Sequence, residues 1–513
     1  MPRCRQVIAM VCDIRHIHMY KGLLSFPTAR LQARPPEIGP SEVRLVRHQI
    51  DGFWRITEHF PSRRGTFVAF RMAAEIQRCQ NSPDGSILTY NISSSEECRI
   101  NDTCLVRLDL ARLSICQLCF HDNCTNVVDL GHQAFSTGLL VDPITAPRTF
   151  QLTLVQCRNC GLLQLAEPPP AEWLRPLVDW VTYREPEGHL DEVCAELIAL
   201  PGLEKLSACI MGVTSKDDST LARLSALGFG RTRRLDLTRD LGVMQPLANV
   251  EAAPEALTAA RADTIARIYG PADLLITRHI LEHAADLDQF LQGLVGLVAP
   301  GGYLMLEVPD CTRSLALGDY TMIWEEHSVY FTPETFFRVL EHHGFTPALR
   351  LNYTYHYENC LILVARQGGP TADQQQAGVP TALLATGRAY GQRFQKQTAQ
   401  LRRDLTAAKA KRPSALYGAG HLTASFVNYH GLADLIDCVV DDTPQKQGLF
   451  LPGSGLEVLP STALIERGIG LCLLGLAPEV EPKIVARNAA FIAVGGQLRS
   501  LLAASPSAFL AVA

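Results

Sequence analysis

The stretch that decides the fold covers residues 271–310 and reads PADLLITRHILEHAADLDQFLQGLVGLVAPGGYLMLEVPD. Two short apolar runs, residues 272–277 and 303–308, predict buried strands, because such runs are typical of sheets covered on both faces. Apolar residues recur at helical spacing between them, and we expect Pro300-Gly301-Gly302 to end that helix. The pattern is a βαβ unit, so the sequence predicts an α/β fold with a parallel sheet.

Polar residues follow both predicted strands. His279, Glu282 and His283 come after the first strand, and Glu307 and Asp310 come at the end of the second. In open sheets of this kind, ligands bind beyond the carboxyl ends of the strands. We therefore expect the chemistry of this protein at that edge of the sheet.

Length and charge limit the possible classes of protein. A chain of 513 residues suggests about three domains, at roughly 150 residues per domain. The net charge of -5 argues against a general nucleic-acid binder, and no apolar run reaches the roughly 18 residues of a membrane span. Asp13 and Arg15 interrupt the first apolar stretch, which argues against a signal peptide. We expect a cytoplasmic monomer or homodimer that binds neither nucleic acid nor membrane.

Two Cys-x-x-Cys pairs form the sharpest local motif. Their thiolates belong to Cys116, Cys119, Cys157 and Cys160. Four thiolates suit a tetrahedral Zn²⁺, and four protein ligands leave no position for water, so the predicted metal is structural. Cys124 and His132 lie nearby and are alternative ligands, although neither belongs to a pair.

These cysteine pairs, together with the sequence DLGHQ at residues 129–133, resemble the zinc-binding domain of SAM-dependent sugar C-methyltransferases. The resemblance covers residues 113–500 and implies S-adenosyl-L-methionine (SAM) and structural Zn²⁺ as cofactors. It implies an α/β protein with four parts: a zinc-binding domain, a class I (Rossmann-like) SAM methyltransferase domain, a polar helical linker, and a second, C-terminal Rossmann-like α/β domain that binds a nucleotide-sugar. These parts cover residues 113–170, 171–370, 371–410 and 411–513.

Residues 1–112 carry a different resemblance. The sequences IDG at residues 50–52, SRRGTF at 62–67 and YNIS at 90–93 are similar to the opening strands of the dTDP-4-dehydrorhamnose 3,5-epimerase family, which forms a cupin-like barrel. The chain reaches Cys104 and Cys116 where the catalytic segments of that family would come. We therefore expect a non-catalytic N-terminal extension with truncated epimerase-like strands.

The predicted cofactor residues lie at the ends of three strands. Residues 206–213 read as the first strand of the methyltransferase sheet, and the loop after it keeps only Gly212 where a SAM-binding fold normally has several glycines. Asp217 in this loop is interpreted as a partner of the methionine amino group. Asp236, near the end of the second strand, is a candidate for the ribose hydroxyls, or else a solvated turn residue. His279 completes the predicted set.

The predicted catalytic residues centre on the sequence WEEH at residues 324–327. Two carboxylates next to an imidazole shift pKa values and supply a general base. Sugar C-methyltransferases have Tyr-His-Glu-His here, and this chain keeps Glu326 and His327 of that motif. The resemblance implies that His327 is the base, that Glu326 orients it, and that His283 and Tyr183 hold the keto group and the enolate.

A second glycine turn marks the predicted substrate domain. The sequence ALYGAGH at residues 415–421 reads as a strand, a glycine turn and the start of a helix, where backbone N–H groups bind phosphates. The sequence DDTPQKQG follows the next predicted strand. The resemblance implies that Gly418, Gly420, His421 and Lys446 contact a nucleotide-sugar.

The sequence therefore predicts a SAM-dependent C-methyltransferase that acts on an NDP-linked keto-deoxysugar through an enolate. Two alternatives stay open. One is an O- or N-methyltransferase of another small metabolite, for which no carbon acid is needed. The other is a non-catalytic binding or scaffold protein, which the missing glycines of the first loop would suit.

Overall fold

The computed structural model describes residues 114–175, 185–245, 250–368 and 381–510 with their side chains, and the backbone of six short strands before them. The chain divides into two units, Met1–Ile115 and Cys116–Ala513. The described residues of the first unit form three two-stranded antiparallel ladders. Their strands are β1 (Ile8–Cys12), β2 (Ile17–Lys21), β3 (Arg44–Ile50), β4 (Phe53–His59), β5 (Glu97–Ile100) and β6 (Cys104–Arg107). Most residues that suggest an epimerase lie outside the described residues, so that interpretation stays a prediction.

The second unit holds three further sheets and their helices. Its strands are β7 (Cys124–Ala134), β8 (Thr149–Cys157), β9 (Leu163–Leu165), β10 (Cys209–Gly212), β11 (Arg231–Arg234), β12 (Ala272–Arg278), β13 (Val298–Asp310), β14 (Val329–Tyr330), β15 (Phe345–Tyr353), β16 (Asn359–Gln367), β17 (Ser414–Tyr417), β18 (Cys438–Val440), β19 (Val458–Leu459), β20 (Leu471–Leu474) and β21 (Gln497–Ser500). Its α-helices are α1 (Ala171–Leu174), α2 (Leu190–Ile198), α3 (Asp218–Ala226), α4 (Ala253–Ala256), α5 (Ala259–Tyr269), α6 (Leu287–Leu297), α7 (Thr312–Leu317), α8 (Pro333–Phe336), α9 (Thr381–Lys409), α10 (His421–Tyr429), α11 (Ala463–Glu466), α12 (Glu481–Arg487) and α13 (Ala489–Ala493).

The central sheet confirms the predicted βαβ unit. Its strand order is β11-β10-β12-β13-β16-β15; β10 to β13 pair in parallel, and β16 runs antiparallel to β13. The apolar residues of α6 are buried, as their helical spacing predicts. Pro300-Gly301-Gly302 does not end the helix: α6 already stops at Leu297, and the three residues form the irregular start of β13, where Gly301 has φ 77°.

The zinc-binding region forms a four-stranded antiparallel sheet of order β14-β9-β8-β7. Its edge strand β14 comes from a distant part of the chain, because Val329 pairs with Gln164 and Tyr330 with Leu163. The sheet of the zinc-binding region is thus completed by residues that directly follow the predicted base, His327.

The C-terminal region has a parallel sheet of order β19-β18-β17-β20-β21. Helix α10 begins directly after the glycine turn that follows β17, as the sequence predicts. This is the second Rossmann-like α/β domain. Among the described residues, no helix combines the length and the apolar composition that a membrane crossing requires.

The predicted polar linker is a 29-residue helix, α9, that packs on its neighbours. Tyr390, Leu401 and Leu405 are buried, and the Tyr390 hydroxyl donates to the Asp319 carbonyl at 2.9 Å. A Cβ added at Gly391 would overlap the Val127 carbonyl oxygen of β7. Glycine therefore lets α9 lie directly against the backbone of the zinc-binding sheet.

The close packing of α9 on β7 leads to a prediction about stability. Gly391→Ala should lower the free energy of unfolding by about 1–3 kcal/mol, because a backbone carbonyl cannot move aside as a flexible side chain can. Gly230→Ala is the matched control, since nothing lies within 4 Å of an added Cβ there, and it should change stability by less than about 0.5 kcal/mol. Urea unfolding measures both. Equal effects of the two substitutions would contradict the packing of α9.

Candidate active site and zinc centre

The four paired cysteines converge on one point. Their Sγ atoms all lie within 4.8 Å of one another, and the Cys116–Cys160 and Cys119–Cys157 distances are 3.4 and 3.5 Å. Thiolates around a tetrahedral Zn²⁺ with bonds of about 2.3 Å stand about 3.8 Å apart. The cluster therefore fits a single structural zinc ion. This group of candidate ligands includes neither Cys124 nor His132.

Tight turns create the two knuckles. The Gly161 amide donates to the Cys157 carbonyl at 2.9 Å, and the Phe120 amide donates to the Cys116 carbonyl at 3.0 Å. Both turn residues have positive φ, 86° at Gly161 and 60° at Phe120. Glycine adopts this conformation without a steric cost, whereas Phe120 is strained in it. The positive φ of Phe120 is therefore a feature of the tight turn that its amide closes on the Cys116 carbonyl.

Two of the four thiols, those of Cys119 and Cys157, favour the ionised form that zinc requires, whereas hydrogen bonds with the neighbouring thiols and burial raise the pKa of Cys116 and Cys160. The hydrogen bond with Cys116 is the main cause that lowers the pKa of Cys119, to about 6. Hydrogen bonds from the other thiols, that of Cys116 first, hold the pKa of Cys157 far below its ordinary value. Because zinc binds thiolates, low pKa values favour metal binding at neutral pH.

The zinc centre yields a prediction on stability. Cys157→Ser should abolish stoichiometric zinc and lower the melting temperature, because a structural zinc contributes on the order of 10 kcal/mol to folding. Elemental analysis and calorimetry measure the two effects. Cys124→Ser is the control and should keep one zinc per chain. A wild-type protein without zinc, or loss of zinc in the control, would contradict this set of four ligands.

The zinc-binding sheet holds the segment that contains His327. The Leu165 amide of β9 donates to the Ser328 carbonyl at 2.9 Å. From the other side, the Ser328 amide donates to the Glu282 carbonyl at 2.7 Å. His327 is therefore fixed between the zinc-binding sheet and the loop that follows β12.

Two histidines and a carboxylate meet at this point. The rings of His283 and His327 lie 4.8 Å apart and nearly perpendicular, and ligand atoms of Glu282, His283 and His327 all lie within 4.8 Å of one another. The carboxylate that joins the two histidines is thus Glu282, which the sequence placed at the strand end without a role. Glu326 is also buried next to His327, and its orienting role stays a prediction.

Both histidines of this group favour the neutral form. Burial lowers the pKa of His283. Burial also lowers the pKa of His327 well below its ordinary value, and protonation of His327 is further disfavoured by the nearby rings of His283 and His421. A neutral imidazole has a free lone pair for a proton, which a general base must have.

A buried ionic network lies beside these histidines. Glu307 is fully buried and accepts hydrogen bonds from Arg278 at 2.6 Å, His279 at 2.9 Å and His189 at 3.1 Å. Burial would raise the pKa of Glu307, but the bonds from His189 and His279 hold it well below its ordinary value. The sequence placed Glu307 at this edge but did not single out Arg278 or His189. Their proximity depends on contacts between residues far apart in the chain.

This network gives His279 a different role from the predicted one of a cofactor ligand. Its ring is buried and bonded to Glu307, and its φ is 49°, which is strained for a residue other than glycine. Burial alone would lower the pKa of His279, but Glu185, Cys360, Glu282 and Glu307 raise it well above the ordinary value. His279 thus provides a buried positive charge in the candidate site.

The Asp217 carboxylate binds its own loop, which corrects the prediction that it meets a cofactor amino group. It is fully buried and accepts from the backbone amides of Val213 at 2.7 Å, Thr214 at 2.9 Å and Arg278 at 2.9 Å. Burial raises the pKa of Asp217 to about 7 despite these bonds. A Cβ at Gly212 would lie 2.8 Å from the Asp217 Cβ, so the position of Asp217 explains why residue 212 is a glycine.

Other groups at this edge suit SAM. Asp236 follows β11, and its Oδ1 accepts from the Thr238 and Arg239 amides, at 3.0 and 2.7 Å, while its Oδ2 makes no hydrogen bond to a described residue. The Glu282 Oε2 atom is buried and likewise has no hydrogen-bond partner among the described residues. These oxygens suit the hydroxyl and ammonium groups of SAM. Bound SAM would supply an electrophilic methyl group here.

The role of Asp236 is open to a binding test. Asp236→Ala should weaken SAM binding by about 1–3 kcal/mol, because the ribose donors would lose their acceptor. Asp218→Ala is the control, since Asp218 is exposed and pairs with Arg234 at 2.9 Å. Titration calorimetry with SAM measures both variants. An unchanged affinity in Asp236→Ala would remove Asp236 from the cofactor site.

His421 contacts the protein with both ring nitrogens, which corrects its predicted role as a substrate ligand. Its Nε2 donates to the Thr321 carbonyl at 2.7 Å, and its Nδ1 lies 3.1 Å from the hydroxyls of both Ser136 and Ser425. Burial lowers the pKa of His421 to about 4, so the ring is neutral. The ring also packs on Trp324 at 4.6 Å. His421 thereby joins the C-terminal domain to the segment before His327.

Lys446 supports the glycine turn rather than projecting from it. Its Nζ donates to the Ala419 carbonyl at 2.9 Å and pairs with Asp441 at 3.2 Å, while Asp441 accepts from the Ala419 amide at 2.8 Å. Gly418 needs its φ of 97°, and an added Cβ at Gly420 would meet nothing within 4 Å. Substrate contacts of Gly418 and Gly420 stay predictions. Tyr183 lies outside the described residues.

Models of known domains match three parts of the chain. A zinc-binding domain model matches residues 116–174, a methyltransferase domain model matches residues 217–349, and a model of the C-methyltransferase C-terminal domain matches residues 372–502. The chain is 26% identical to the C-methyltransferase NovU of Streptomyces niveus over 409 residues, which cover 74% of this chain and 94% of NovU.

Solved methyltransferase structures also match part of the chain. Magnesium protoporphyrin IX methyltransferase from Synechocystis PCC 6803 with bound SAH is 18% identical, with a TM-score of 0.25, over 35% of this chain and 82% of that one. N-methyltransferase NodS from Bradyrhizobium japonicum WM9 is 16% identical, with a TM-score of 0.23, over 35% and 87%. By its domain models, the chain is a SAM-dependent methyltransferase with a zinc-binding domain, and it is similar to a C-methyltransferase.

Proposed function

We propose that this enzyme methylates a carbon atom next to the keto group of a nucleotide-linked deoxysugar, and that His327 removes the proton from that carbon. The observation that carries the proposal is the group of Glu282, His283 and a partly buried, neutral His327 at the carboxyl edge of the sheet. Transfer of a methyl group to carbon needs a base, whereas many oxygen and nitrogen acceptors do not.

The proposed proton transfer uses residues of this chain. His327 accepts the carbon-bound proton, and the electron pair of the C–H bond moves onto the keto oxygen as an enolate. Glu282 and Glu326 favour the imidazolium that forms, because a nearby negative charge stabilises a protonated histidine. We assign His283 to the keto oxygen, together with Tyr183, whose role rests on the sequence resemblance.

The nucleotide part of the substrate is assigned to the C-terminal domain. The turn at Gly418 and Gly420 precedes the nine-residue helix α10, and open space lies beside Gly420. From the start of this helix, His421 packs on Trp324, whose ring lies 4.9 Å from that of His327. A ligand that reached from the glycine turn past His421 and Trp324 would have its nucleotide at the turn and its sugar next to His327.

A direct assay tests the proposed substrate class. Purified protein is incubated with SAM and a panel of NDP-4-keto-deoxysugars, and each product is analysed by mass spectrometry. At least one member should gain a single methyl group, while the free sugar should react more slowly because it lacks the nucleotide. Methylation of none of the panel would exclude this class of substrate.

The proposed role of His327 as the base is tested separately. His327→Ala should reduce turnover by about 10²–10⁴-fold and leave SAM affinity nearly unchanged, because a positioned general base contributes that much. In D₂O, wild-type protein should exchange the proton next to the keto group, and the variant should not. His342→Ala, at an exposed histidine, is the control. Exchange at the wild-type rate in His327→Ala would show that another group is the base.

The low pKa of His327 also predicts the pH dependence of that exchange. The base must be neutral, and its pKa lies well below the ordinary value of 6.5. The exchange rate should therefore hold as the pH falls from 7 to 6.5 and decline only at lower pH, where His327 becomes protonated. A decline centred at 6.5 or above would contradict this assignment.

A further inference from the structure

Trp324 lies between the glycine turn of the C-terminal domain and the proposed base. Its ring centroid is 4.6 Å from that of His421, the first residue of α10, and 4.9 Å from that of His327. The ring of His283 is steeply inclined to it at 6.1 Å. One indole thus packs with three histidines that come from three different parts of the chain.

The backbone around Trp324 is held by the zinc-binding sheet. The Trp324 amide donates to the Tyr330 hydroxyl at 3.0 Å, and that hydroxyl donates to the Trp324 carbonyl at 3.1 Å. The next residue, Glu325, accepts from the amide and the hydroxyl of Ser136, at 2.5 and 2.7 Å. Tyr330 belongs to β14, and Ser136 lies just after β7. A ligand that packs on Trp324 therefore meets a residue that is already ordered, which lowers the entropy cost of binding.

The group of rings around Trp324 is uncharged. Burial lowers the pKa of His421 to about 4, and it also lowers the pKa values of His283 and His327, so the three imidazoles are neutral at pH 7. Trp324 and His327 are nevertheless partly exposed. The four rings thus form an uncharged aromatic surface that a ligand can reach.

The distance between Trp324 and His327 decides which part of a substrate contacts the indole. A general base must come within about 3.2 Å of the atom whose proton it removes. A sugar carbon at that distance from the His327 imidazole lies beside Trp324, because the two side-chain rings are only 4.9 Å apart. The sugar ring therefore packs on the indole, whereas a nucleobase at this place would keep the reacting carbon away from His327.

An indole favours contact with sugar carbons that carry no hydroxyl group. The face of an aromatic ring is electronegative, so it attracts C–H groups, which are weakly positive. A hydroxyl group that faces the indole loses its bound water and gains no comparable hydrogen bond, which is unfavourable. Each hydroxyl group on the packed face of the sugar should therefore weaken binding.

We propose that Trp324 is a specificity-determining residue, whose indole packs against the sugar ring of the acceptor and selects a deoxygenated ring over a hydroxylated one. This inference rests on the function proposed above. Trp324 exchanges no proton with the substrate. Its effect lies in the affinity for the sugar ring and in the placement of that ring next to His327.

Fluorescence tests the contact without turnover. Protein loaded with S-adenosylhomocysteine is titrated with an NDP-4-keto-6-deoxyhexose, and the emission of its four tryptophans is followed. Binding should change the emission of the wild type, and Trp324→Phe should lack this change. Trp173→Phe is the control and should keep it, because Trp173 packs on Phe135 instead. The wild-type change in Trp324→Phe, or an equal change with the nucleoside diphosphate alone, would overturn the proposal.

Steady-state kinetics test the selection between sugars. Each methylated member of the panel is compared with a counterpart that carries one more hydroxyl group on its sugar. For at least one such pair, kcat/KM of the wild type should favour the deoxysugar by about 10–100-fold, because the added hydroxyl group loses its hydrogen bonds. Trp324→Ala should lose most of this preference, mainly through KM, whereas Trp324→Phe keeps a ring and should retain it. No preference in the wild type, an unchanged preference in Trp324→Ala, or an equal loss in both variants would each contradict the proposal.

The binding and kinetic measurements together separate this proposal from the proposed function. If no member of the panel is methylated but the emission change depends on Trp324, the proposed function fails while the contact of the indole with the sugar holds. If a member is methylated but the emission change is the same in wild type and Trp324→Phe, the role of Trp324 fails and the proposed function stands. SAM affinity should be equal in wild type and Trp324→Phe. A loss of SAM affinity in that variant would overturn the proposal, because Trp324 would then contact the cofactor.

Discussion

The short pairing of β9 with β14 is the contact on which the candidate site depends. Leu163 follows the zinc knuckle by three residues, and its partner Tyr330 follows His327 by three. The segment before β14 is irregular, so its own secondary structure cannot fix the position of His327, the proposed base. The ladder fixes it instead, and Ser328 adds a hydrogen bond to the loop after β12. The free energy of zinc binding should thus stabilise the position of the proposed base, His327, as well as the fold of the zinc-binding sheet.

Charge compensation decides which groups at this edge are available for chemistry. Glu307, Arg278 and His279 are buried together and satisfy one another, and such a network is costly to alter because any one loss leaves a buried charge unpaired. The groups outside the network, His283 and His327, are neutral because burial disfavours their charged forms. The site therefore combines a buried charged network with neutral histidines, the protonation state that the proposed proton transfer requires.

The sequence predicts the parts of this protein that depend on local patterns. The two knuckles, the strands around residues 272–277 and 303–308, and the glycine turn before α10 follow from spacing and periodicity alone. The contacts that the Asp217 and His421 side chains make do not follow from such patterns. Asp217 fills its loop because Val213, Thr214 and Arg278 direct their amides at it, and His421 meets Ser136 from a region 285 positions away in the sequence. Contacts of this kind depend on how distant elements pack, so single residue types do not predict them.

The position of the transferred methyl group tests the central claim most directly. The enzyme is supplied with SAM that carries ¹³C in its methyl group and with the proposed keto-deoxysugar substrate, and the product is examined by NMR. The geometry of His327, His283 and Glu282 predicts a ¹³C methyl bonded to the carbon next to the keto group. A methyl bonded to oxygen or nitrogen would contradict a base that acts on carbon.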